Sequence, residues 1–277
     1  MYKMMLLDLD GTLLNDHKEV PQENIDMLNK VYNEKGVLPI IATGKKLTTS
    51  KKIVDTIGEC CKRYIITSNG GIIKTLDTNE YINKQSFLPE NIASIIKEFR
   101  KHELIDILIH TENDYIIEKI NPRKDLFVKA ENAVVLDNFE ESKIAEPLVV
   151  TVSGEREVLN KAREELKKNT NLQVTELCKF SIVIDGKLYT SDYFDIMPAG
   201  VTKKNAINML ADYLEIKREE IIVVGDGGND LPMFEMAGLK VAMANAEEYL
   251  KEKADYVTTK NNNESGVAEA IRHIFNM

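Results

Sequence analysis

The sequence predicts an α/β protein with a doubly wound parallel sheet and an inserted α+β domain. Continuous apolar runs, rather than alternating ones, recur along the chain, as parallel strands covered by helices on both faces require. Each of these runs ends in small polar residues, and helical patterns separate them. Between about residues 83 and 190 the texture changes to short strands around two helices. The 277-residue chain is long enough for one large domain or two medium ones.

The first strand and helix open the predicted sheet. Met4-Met5-Leu6-Leu7 has the pattern of a buried strand and runs directly into Asp8-Leu9-Asp10-Gly11. Residues 21–35 then carry apolar residues such as Ile25 and Leu28 at helical spacing. Gly36 follows as a typical C-cap residue. We therefore predict a strand, a turn and a helix in this segment, which together form a βα unit.

Three more apolar runs extend the sheet. They are predicted as strands at residues 37–42, 64–67 and 221–224. Their polar ends lie at residues 43–44, 68–71 and 225–230. A helix over residues 203–214 and a strand over residues 239–243 belong to the same predicted core. This core is expected to comprise residues 1–82 and 191–277.

The predicted insert comprises residues 83–190. Its helices are expected over residues 91–100 and 156–168, and its strands over residues 105–110, 115–119, 148–152 and 180–184. None of these predicted strands ends in a polar cluster of the kind found in the core. The core is predicted to resume with a further apolar run at residues 193–198.

Charge and composition argue against several classes of partner. The formal net charge is -9, so there is no excess positive charge for a nucleic-acid backbone or an anionic membrane surface. The three cysteines have neither a disulfide framework nor zinc-ligand spacing, and the four histidines are scattered. No apolar run approaches the roughly 18 residues of a membrane span, and the N-terminal run is too short for a signal peptide. We expect a cytoplasmic monomer or small homo-oligomer with no nucleic-acid or membrane partner.

Two carboxylates follow the first predicted strand. Side chains alternate along an extended segment, so Asp8 and Asp10 begin on the same side, and Gly11 lets the chain turn away after them. Ligands of open α/β sheets bind at this carboxyl edge. The alternative is a strand followed only by a turn, because aspartate and glycine are common turn residues. The remaining clusters of the chain favour the ligand site.

Four clusters occur in a characteristic order. They are Asp8-x-Asp10-Gly11-Thr12, Thr43-Gly44 after an apolar strand, Lys203 at the start of a late helix, and Gly225-Asp226-x-x-Asn229-Asp230. This order resembles that of the haloacid dehalogenase superfamily of phosphatases. Further segments look like its Cof-type, sugar-phosphatase-like branch, at residues 42–44, 69–71, 200–203, 243–246, 254–258 and 264–267. That branch carries a large α+β cap of type IIB between the second and third motifs, which implies that the insert is a cap involved in substrate specificity.

The resemblance also implies a mechanism. An aspartate is ionised at neutral pH and is a ready nucleophile, but its charge repels an anionic phosphate ester. A divalent cation and a lysine remove this repulsion. In the family, the position matching Asp8 attacks phosphorus to form an aspartyl phosphate. The position matching Asp10 protonates the leaving oxygen and then activates the water that hydrolyses the intermediate.

A metal site and a phosphate site follow from the same resemblance. The expected cofactor is Mg²⁺, which suits an all-oxygen ligand set. Its expected ligands are the side chains of Asp8 and Asp226 and the backbone carbonyl of Asp10. Asn229 and Asp230 are expected to support the metal or the phosphoryl group. The expected phosphate-binding residues are Thr43, Gly44 and Lys203.

Four positions have alternative interpretations or depart from the family pattern. Lys204 also opens the late helix, although Lys203 is favoured by its place in the motif. Asn69 and Asn245 are either substrate contacts or ordinary turn and cap residues. Lys45 stands where the Cof-type pattern usually has arginine. Because lysine cannot make a planar two-pronged contact, we do not expect it to reproduce a leaving-group contact made by that arginine.

We therefore expect a Mg²⁺-dependent phosphatase that acts on a small phosphorylated metabolite. Sugar phosphates are the commonest substrates of the family, with pyridoxal phosphate and flavin mononucleotide as alternatives. A phosphotransferase or phosphomutase would use the same aspartyl phosphate but protect it from water. A signalling or phospho-ligand-binding module is disfavoured, because Asp10 supplies an acid/base that a long-lived phosphoryl-aspartate would not need. A dehalogenase is weaker still, because the predicted magnesium carboxylates suit phosphoryl transfer.

Overall fold

The chain folds into two units, seen here in a computed structural model. The structure describes residues 1–100, 105–121, 123–137, 139, 144–168, 171–184 and 186–277. Unit 1 consists of Met1–Lys45, Thr49–Lys84 and Thr202–Met277. Unit 2 consists of Lys46–Thr48 and Gln85–Val201. None of the helices in the described ranges is long and apolar enough to cross a membrane.

Unit 1 is built on an eight-stranded sheet with the strand order β15-β14-β13-β1-β2-β3-β4-β5. Its strands are β1 (Met4–Leu7), β2 (Leu38–Ala42), β3 (Tyr64–Thr67), β4 (Ile72–Thr75), β5 (Tyr81–Lys84), β13 (Ile221–Gly225), β14 (Leu239–Ala242) and β15 (Tyr256–Val257). All pairings from β15 to β3 are parallel, whereas β4 and β5 add an antiparallel edge. The predicted doubly wound parallel sheet is thus confirmed.

Helices cover the sheet of unit 1. They are α1 (Gln22–Lys35), α2 (Leu47–Ile57, whose first two residues belong to unit 2), α6 (Lys203–Tyr213), α7 (Leu231–Phe234), α8 (Glu248–Lys251) and α9 (Gly266–Phe275). On one face, Ile207 of α6 and Phe234 of α7 pack in a cluster that includes Leu6 of β1. Elsewhere in the unit, α1 and α9 are joined by a hydrogen bond from the Ala268 amide to Asn24 Oδ1, at 2.9 Å.

Strand β1 lies in the middle of this sheet because all four of its residues are apolar. They have no exposed surface, which is possible only where both faces and both edges of a strand are covered. Leu7 pairs with Val224 of β13 on one side and with Ile41 of β2 on the other. The residues that follow β1, β2 and β13 therefore emerge next to one another at the same edge of the sheet.

Unit 2 is built on a seven-stranded sheet with the order β10-β12-β9-β6-β7-β8, in which β11 also pairs with β12. Its strands are β6 (Ile105–His110), β7 (Tyr115–Glu118), β8 (Val134–Leu136), β9 (Val149–Gly154), β10 (Leu172–Val174), β11 (Cys178–Ile184) and β12 (Lys187–Pro198). Its helices are α3 (Pro89–Phe99), α4 (Lys124–Glu131) and α5 (Arg156–Leu166). Phe99 of α3, Leu159 of α5 and Phe194 of β12 share its main core.

The second transition between the units differs from the sequence prediction. Residues 191–201, assigned to the core by sequence, lie in unit 2 because β12 pairs with β9, β10 and β11. Phe194 and Ile196 fill the core of unit 2. A continuous apolar run shows that a strand is buried but does not show which sheet it joins. At the first transition, residues 83 and 84 belong to β5 of unit 1 rather than to the insert.

Candidate active site

The two acids of the first motif emerge from the centre of the unit 1 sheet. The amide of Asp8 donates to the Val224 carbonyl at 3.2 Å, so this residue still follows the line of β1. Its side chain is buried, whereas that of Asp10 is 41% exposed. Gly11 has a φ of +75°, and a Cβ at this position would lie 2.2 Å from Asp226 Oδ2. The glycine therefore allows both the turn and the close approach of the Asp226 carboxylate.

Lys203 is buried against two carboxylates. Its Nζ donates to Asp8 Oδ1 at 2.6 Å and to Asp230 Oδ1 at 2.7 Å, and only 2% of the residue is exposed. The Thr202 hydroxyl caps α6 by accepting from the Asn205 amide at 3.0 Å, which fixes the start of the helix. Of the two adjacent lysines, the structure places Lys203 beside Asp8. Lys204 instead pairs with Glu235 at the surface.

Asp226 and Asp230 bring two more carboxylates to the same point. Ligand oxygens of Asp8, Asp226 and Asp230 lie within 4.8 Å of one another. The Thr12 hydroxyl donates to Asp226 Oδ1 at 2.7 Å. Asp230 Oδ2 accepts from the amides of Asp226 and Gly227, at 3.0 and 3.2 Å. Asp230 thus ties the loop after β13 to Lys203.

The negative charges of the carboxylates in this cluster outnumber the positive charge of Lys203. Burial, reinforced by the charge of Asp230, raises the pKa of Asp8 to about 7. Burial and the charges of Asp230 and Asp8 raise the pKa of Asp226 well above its ordinary range. Burial alone would lower the pKa of Lys203, but Asp230 and Asp8 raise it, so this lysine stays charged. One ammonium against three carboxylates leaves a site that a divalent cation would neutralise, and an all-oxygen donor set fits Mg²⁺.

Asp10 lies between two lysines. Lys18 Nζ is 2.7 Å from Asp10 Oδ1, and Lys45 Nζ is 2.9 Å from Asp10 Oδ2. The surrounding protein partly desolvates Asp10, which alone would raise its pKa, but Lys45 and Lys18 hold this pKa well below its usual range. Lys45, which replaces the arginine of the Cof-type pattern, therefore has a carboxylate partner within unit 1.

The ends of β2 and β3 bring Thr43, Gly44 and Asn69 together. The Asn69 amide donates to the Thr43 carbonyl at 3.1 Å, and Thr43 Oγ1 accepts from the Lys45 amide at 3.2 Å. A Cβ at Gly44 would lie 3.0 Å from Asn69 Oδ1. Both Thr43 and Asn69 are 2% exposed. This arrangement holds the Thr43 side chain at the edge where Asp8 emerges.

Asn245 and Asn229 lie in loops beside the acids. Asn245 Nδ2 donates to the Gly11 carbonyl at 2.8 Å, and Asn245 Oδ1 accepts from the Asn262 amide at 3.1 Å. The structure thus gives Asn245 a bracing contact to the turn after Asp10. Asn229 is half-buried, and its Oδ1 would lie 3.0 Å from a Cβ at Gly227.

Sequence reasoning did not single out Lys18 or Asn262. Lys18 lies in a short polar turn, and the asparagine run at residues 261–263 predicts only a short loop. Lys18 contacts Asp10 within the same loop, whereas Asn262 contacts Leu14, which is distant in sequence. The one available signal was the turn-forming Asn15, which predicts a bend but not its partner.

A family model described as haloacid dehalogenase-like hydrolase matches residues 5–271. The chain belongs to this family. The resemblance inferred from the motif order is thus confirmed, and the Cof-type assignment with it. This haloacid dehalogenase-like hydrolase is an enzyme of the phosphatase class, which acts on phosphoric monoesters.

Relatives of this hydrolase match along nearly the whole chain. YxeH of Bacillus subtilis is 30% identical, over 99% of this chain and 98% of that protein. YcsE of Bacillus subtilis, named as a 5-amino-6-(5-phospho-D-ribitylamino)uracil phosphatase, is 28% identical, over 98% of this chain and 95% of that protein. A solved phosphatase of the haloalkanoate superfamily from Bacteroides thetaiotaomicron is 26% identical with a TM-score of 0.81, covering 100% of this chain and 96% of its own.

Proposed function

We propose that this phosphatase hydrolyses small phosphorylated metabolites, with sugar phosphates as the first class to test, through an aspartyl phosphate on Asp8. The observation that supports the proposal best is the contact of buried Asp8 with Lys203, beside Asp226 and Asp230. An ionised carboxylate is a nucleophile without an activating base. Lys203 supplies positive charge next to its attacking oxygen, where the phosphoryl group would arrive.

In the first step, a carboxylate oxygen of Asp8 forms a bond to phosphorus while the bond from phosphorus to the ester oxygen breaks. The departing oxygen takes a proton from Asp10, which therefore has to be in its protonated form when substrate is bound, after substrate has displaced one of the two lysine contacts that keep it ionised. In the second step, Asp10 removes a proton from water, the water oxygen attacks phosphorus, and the Asp8 carboxylate is released. Lys203, Thr43 and the backbone at Gly44 would bind the phosphoryl oxygens.

The cofactor proposed for this site is Mg²⁺. Asp8, Asp226 and the backbone carbonyl of Asp10 would hold it, with Asp230 and Asn229 in support, since these groups offer only oxygen ligands from carboxylates, a carbonyl and an amide. When bound, Mg²⁺ would offset the negative charge shared by the carboxylates and the phosphate ester. We further propose that unit 2 takes part in selecting the leaving group, as the resemblance to capped phosphatases implies.

The direct test is phosphate release from a panel of esters. The panel contains several sugar phosphates, nucleotides, flavin mononucleotide, pyridoxal phosphate and p-nitrophenyl phosphate, each assayed with Mg²⁺ and with a chelator. We expect release with Mg²⁺, at least about 100-fold slower release with the chelator, and the highest kcat/KM among the sugar phosphates. Equal rates of phosphate release with Mg²⁺ and with the chelator would contradict the metal proposal. A higher kcat/KM for pyridoxal phosphate or flavin mononucleotide would contradict sugar phosphates as the substrate class.

Without a divalent cation, the melting temperature is expected to fall between pH 5 and pH 8. The pKa of Asp8 is raised to about 7 and that of Asp226 is also raised, so the folded state holds more protons than the unfolded state above the ordinary value of 3.8. Stability therefore declines as pH rises through this interval. We expect the contribution of the cluster to be on the order of 5 °C, measured by thermal unfolding in a chelator.

Two comparisons isolate the carboxylate cluster in this experiment. Asp226→Asn removes one of the raised carboxyls, so its melting temperature should fall less over the same interval. Mg²⁺ should stabilise the wild type more at pH 8 than at pH 5, because it binds the deprotonated carboxylates. An equal pH dependence of the wild type and the variant would show that the cluster does not set this slope.

A further inference from the structure

Lys18 lies in a tight turn that holds an unfavourable backbone conformation. Its φ is +63°, in the left-handed region that lysine rarely adopts. Asn15 closes the turn: its amide donates to the Glu19 carbonyl and its carbonyl accepts from the Lys18 amide, both at 2.9 Å. Asn15 Oδ1 also accepts from the amides of His17 and Glu19, at 2.9 and 3.0 Å. A residue keeps such a strained backbone conformation only where the contacts around it hold it in place.

A group of asparagines braces the chain that leads to this turn. Asn262 Nδ2 donates to the Leu14 carbonyl at 3.0 Å and to Asp16 Oδ1 at 3.1 Å. Asn263 accepts from the Asp16 amide at 2.9 Å and donates to Asp16 Oδ2 at 3.1 Å. Together with the contact of Asn245 to the Gly11 carbonyl, these bonds fix the segment between Asp10 and Lys18 at three points.

The turn places the Lys18 ammonium next to one oxygen of Asp10. Lys18 holds Oδ1, and Lys45 holds Oδ2. The proposed reaction needs an Asp10 oxygen to meet the leaving group, so one of the two lysine contacts must give way to substrate. Lys18 is the lysine whose backbone the asparagines fix through a short turn. Its contact with Oδ1 is suited to hold the carboxyl group while Oδ2, released from Lys45, carries the proton that passes to the ester oxygen.

We propose that Lys18 is a positioning residue for Asp10, oriented by the turn at Asn15 and by the brace of Asn245, Asn262 and Asn263. The inference rests on the proposed function, because it assigns Lys18 a part in proton transfer to the leaving group. Exposed ion pairs contribute little to the free energy of folding. If Lys18 served only stability, its replacement would therefore leave the protein folded and its kcat/KM almost unchanged.

The test compares two leaving groups in the Lys18→Met variant. Departure of a sugar alkoxide depends on a proton from Asp10, whereas p-nitrophenolate leaves readily without one. We expect kcat/KM for the best sugar phosphate to fall about 10-fold to 100-fold, with the loss mainly in kcat, and kcat/KM for p-nitrophenyl phosphate to change less than about 3-fold. The kcat/KM values report the steps up to departure of the leaving group.

Three further variants control this comparison. Lys18→Arg should restore most of the activity towards the sugar phosphate, because it keeps a cation in reach of Oδ1. Asn263→Ala, which removes two contacts to exposed Asp16, should show the same leaving-group dependence to a smaller extent. Lys62→Met removes another surface ion pair of unit 1, in which Lys62 Nζ lies 2.8 Å from Glu59 Oε1. This variant should leave kcat/KM unchanged for both substrates.

The possible results separate the inference from the function on which it rests. Equal losses for both substrates in Lys18→Met, or no loss for either, would overturn the positioning role while the phosphatase function stood. If the wild type releases no phosphate from any ester, the proposed function and this inference both fail.

Discussion

Replacement of Asp8 by asparagine is expected to lower kcat for phosphate release by at least about 10⁴-fold, as loss of a nucleophile does in other covalent mechanisms. The amide keeps the size of the carboxylate and an oxygen that can accept from Lys203, but it cannot form a stable bond to phosphorus. The measurement is phosphate release with the best ester of the panel at saturating Mg²⁺. In parallel, acid quenching of the wild type during turnover should trap phosphate on Asp8.

The Asp8→Asn variant should remain folded. It removes a carboxylate whose charged form is disfavoured by burial and by Asp230, so its melting temperature in a chelator should not fall below that of the wild type at pH 8. Asp55→Asn, a change in an exposed residue of α2, serves as the control and should leave turnover unchanged. Retention of wild-type turnover by Asp8→Asn would eliminate the covalent mechanism.

Replacement of Lys203 by methionine is expected to cause the largest loss of stability. The ammonium is buried and pairs with Asp8 at 2.6 Å and Asp230 at 2.7 Å. Removal of one partner of a buried ion pair costs about 3 to 5 kcal/mol, because the remaining charge has no compensation. We expect this loss in the free energy of unfolding at pH 8 in a chelator, and a smaller loss at pH 5, where the carboxyls can take up protons.

The adjacent lysine provides a matched control for this variant. Lys204 pairs with Glu235 at 2.5 Å, but both side chains are exposed, so Lys204→Met should change the free energy of unfolding by less than about 1 kcal/mol. Lys203→Met should also lower kcat by about 10² to 10³, in the range for loss of one charge-stabilising group. Equal effects of the two substitutions would contradict the assignment of Lys203 to the phosphate site.

Both predictions depend on the balance of charge at the end of β1. Asp8, Asp226 and Asp230 converge because the apolar strands β1 and β13 end next to one another, and Lys203 alone does not neutralise them. Burial, reinforced by the neighbouring carboxylates, raises the pKa values of Asp8 and Asp226. A site of this kind is destabilising when empty of cations and attractive to a cation and a phosphoryl group together.

Local patterns made much of the fold predictable. The four apolar residues before Asp8 indicate a central strand, because only a strand covered on every side can be apolar throughout. The order of the Asp8, Thr43, Lys203 and Asp226 clusters was enough to identify the family. The motif also favoured Lys203 over Lys204 as the lysine of the site, and the structure places Lys203 beside Asp8.

Other features depend on contacts between segments that are far apart in the chain. The apolar run at residues 193–198 predicted a buried strand, but only pairing with β9 and β10 decided that this strand belongs to unit 2. Asn245 could be a turn residue or a substrate contact by sequence, whereas the structure gives it the Gly11 carbonyl as a partner.

The sequence by itself determined the family, the central strand and the acids that follow it, because adjacent residues or the order of short motifs indicate each of them. Only the tertiary structure decided that Lys18 and Lys45 share Asp10 and that Asn262 braces Leu14. The physical reason is that such contacts join side chains through the fold. A sequence pattern specifies the local conformation of each segment, while the partner of a side chain depends on which segments pack together.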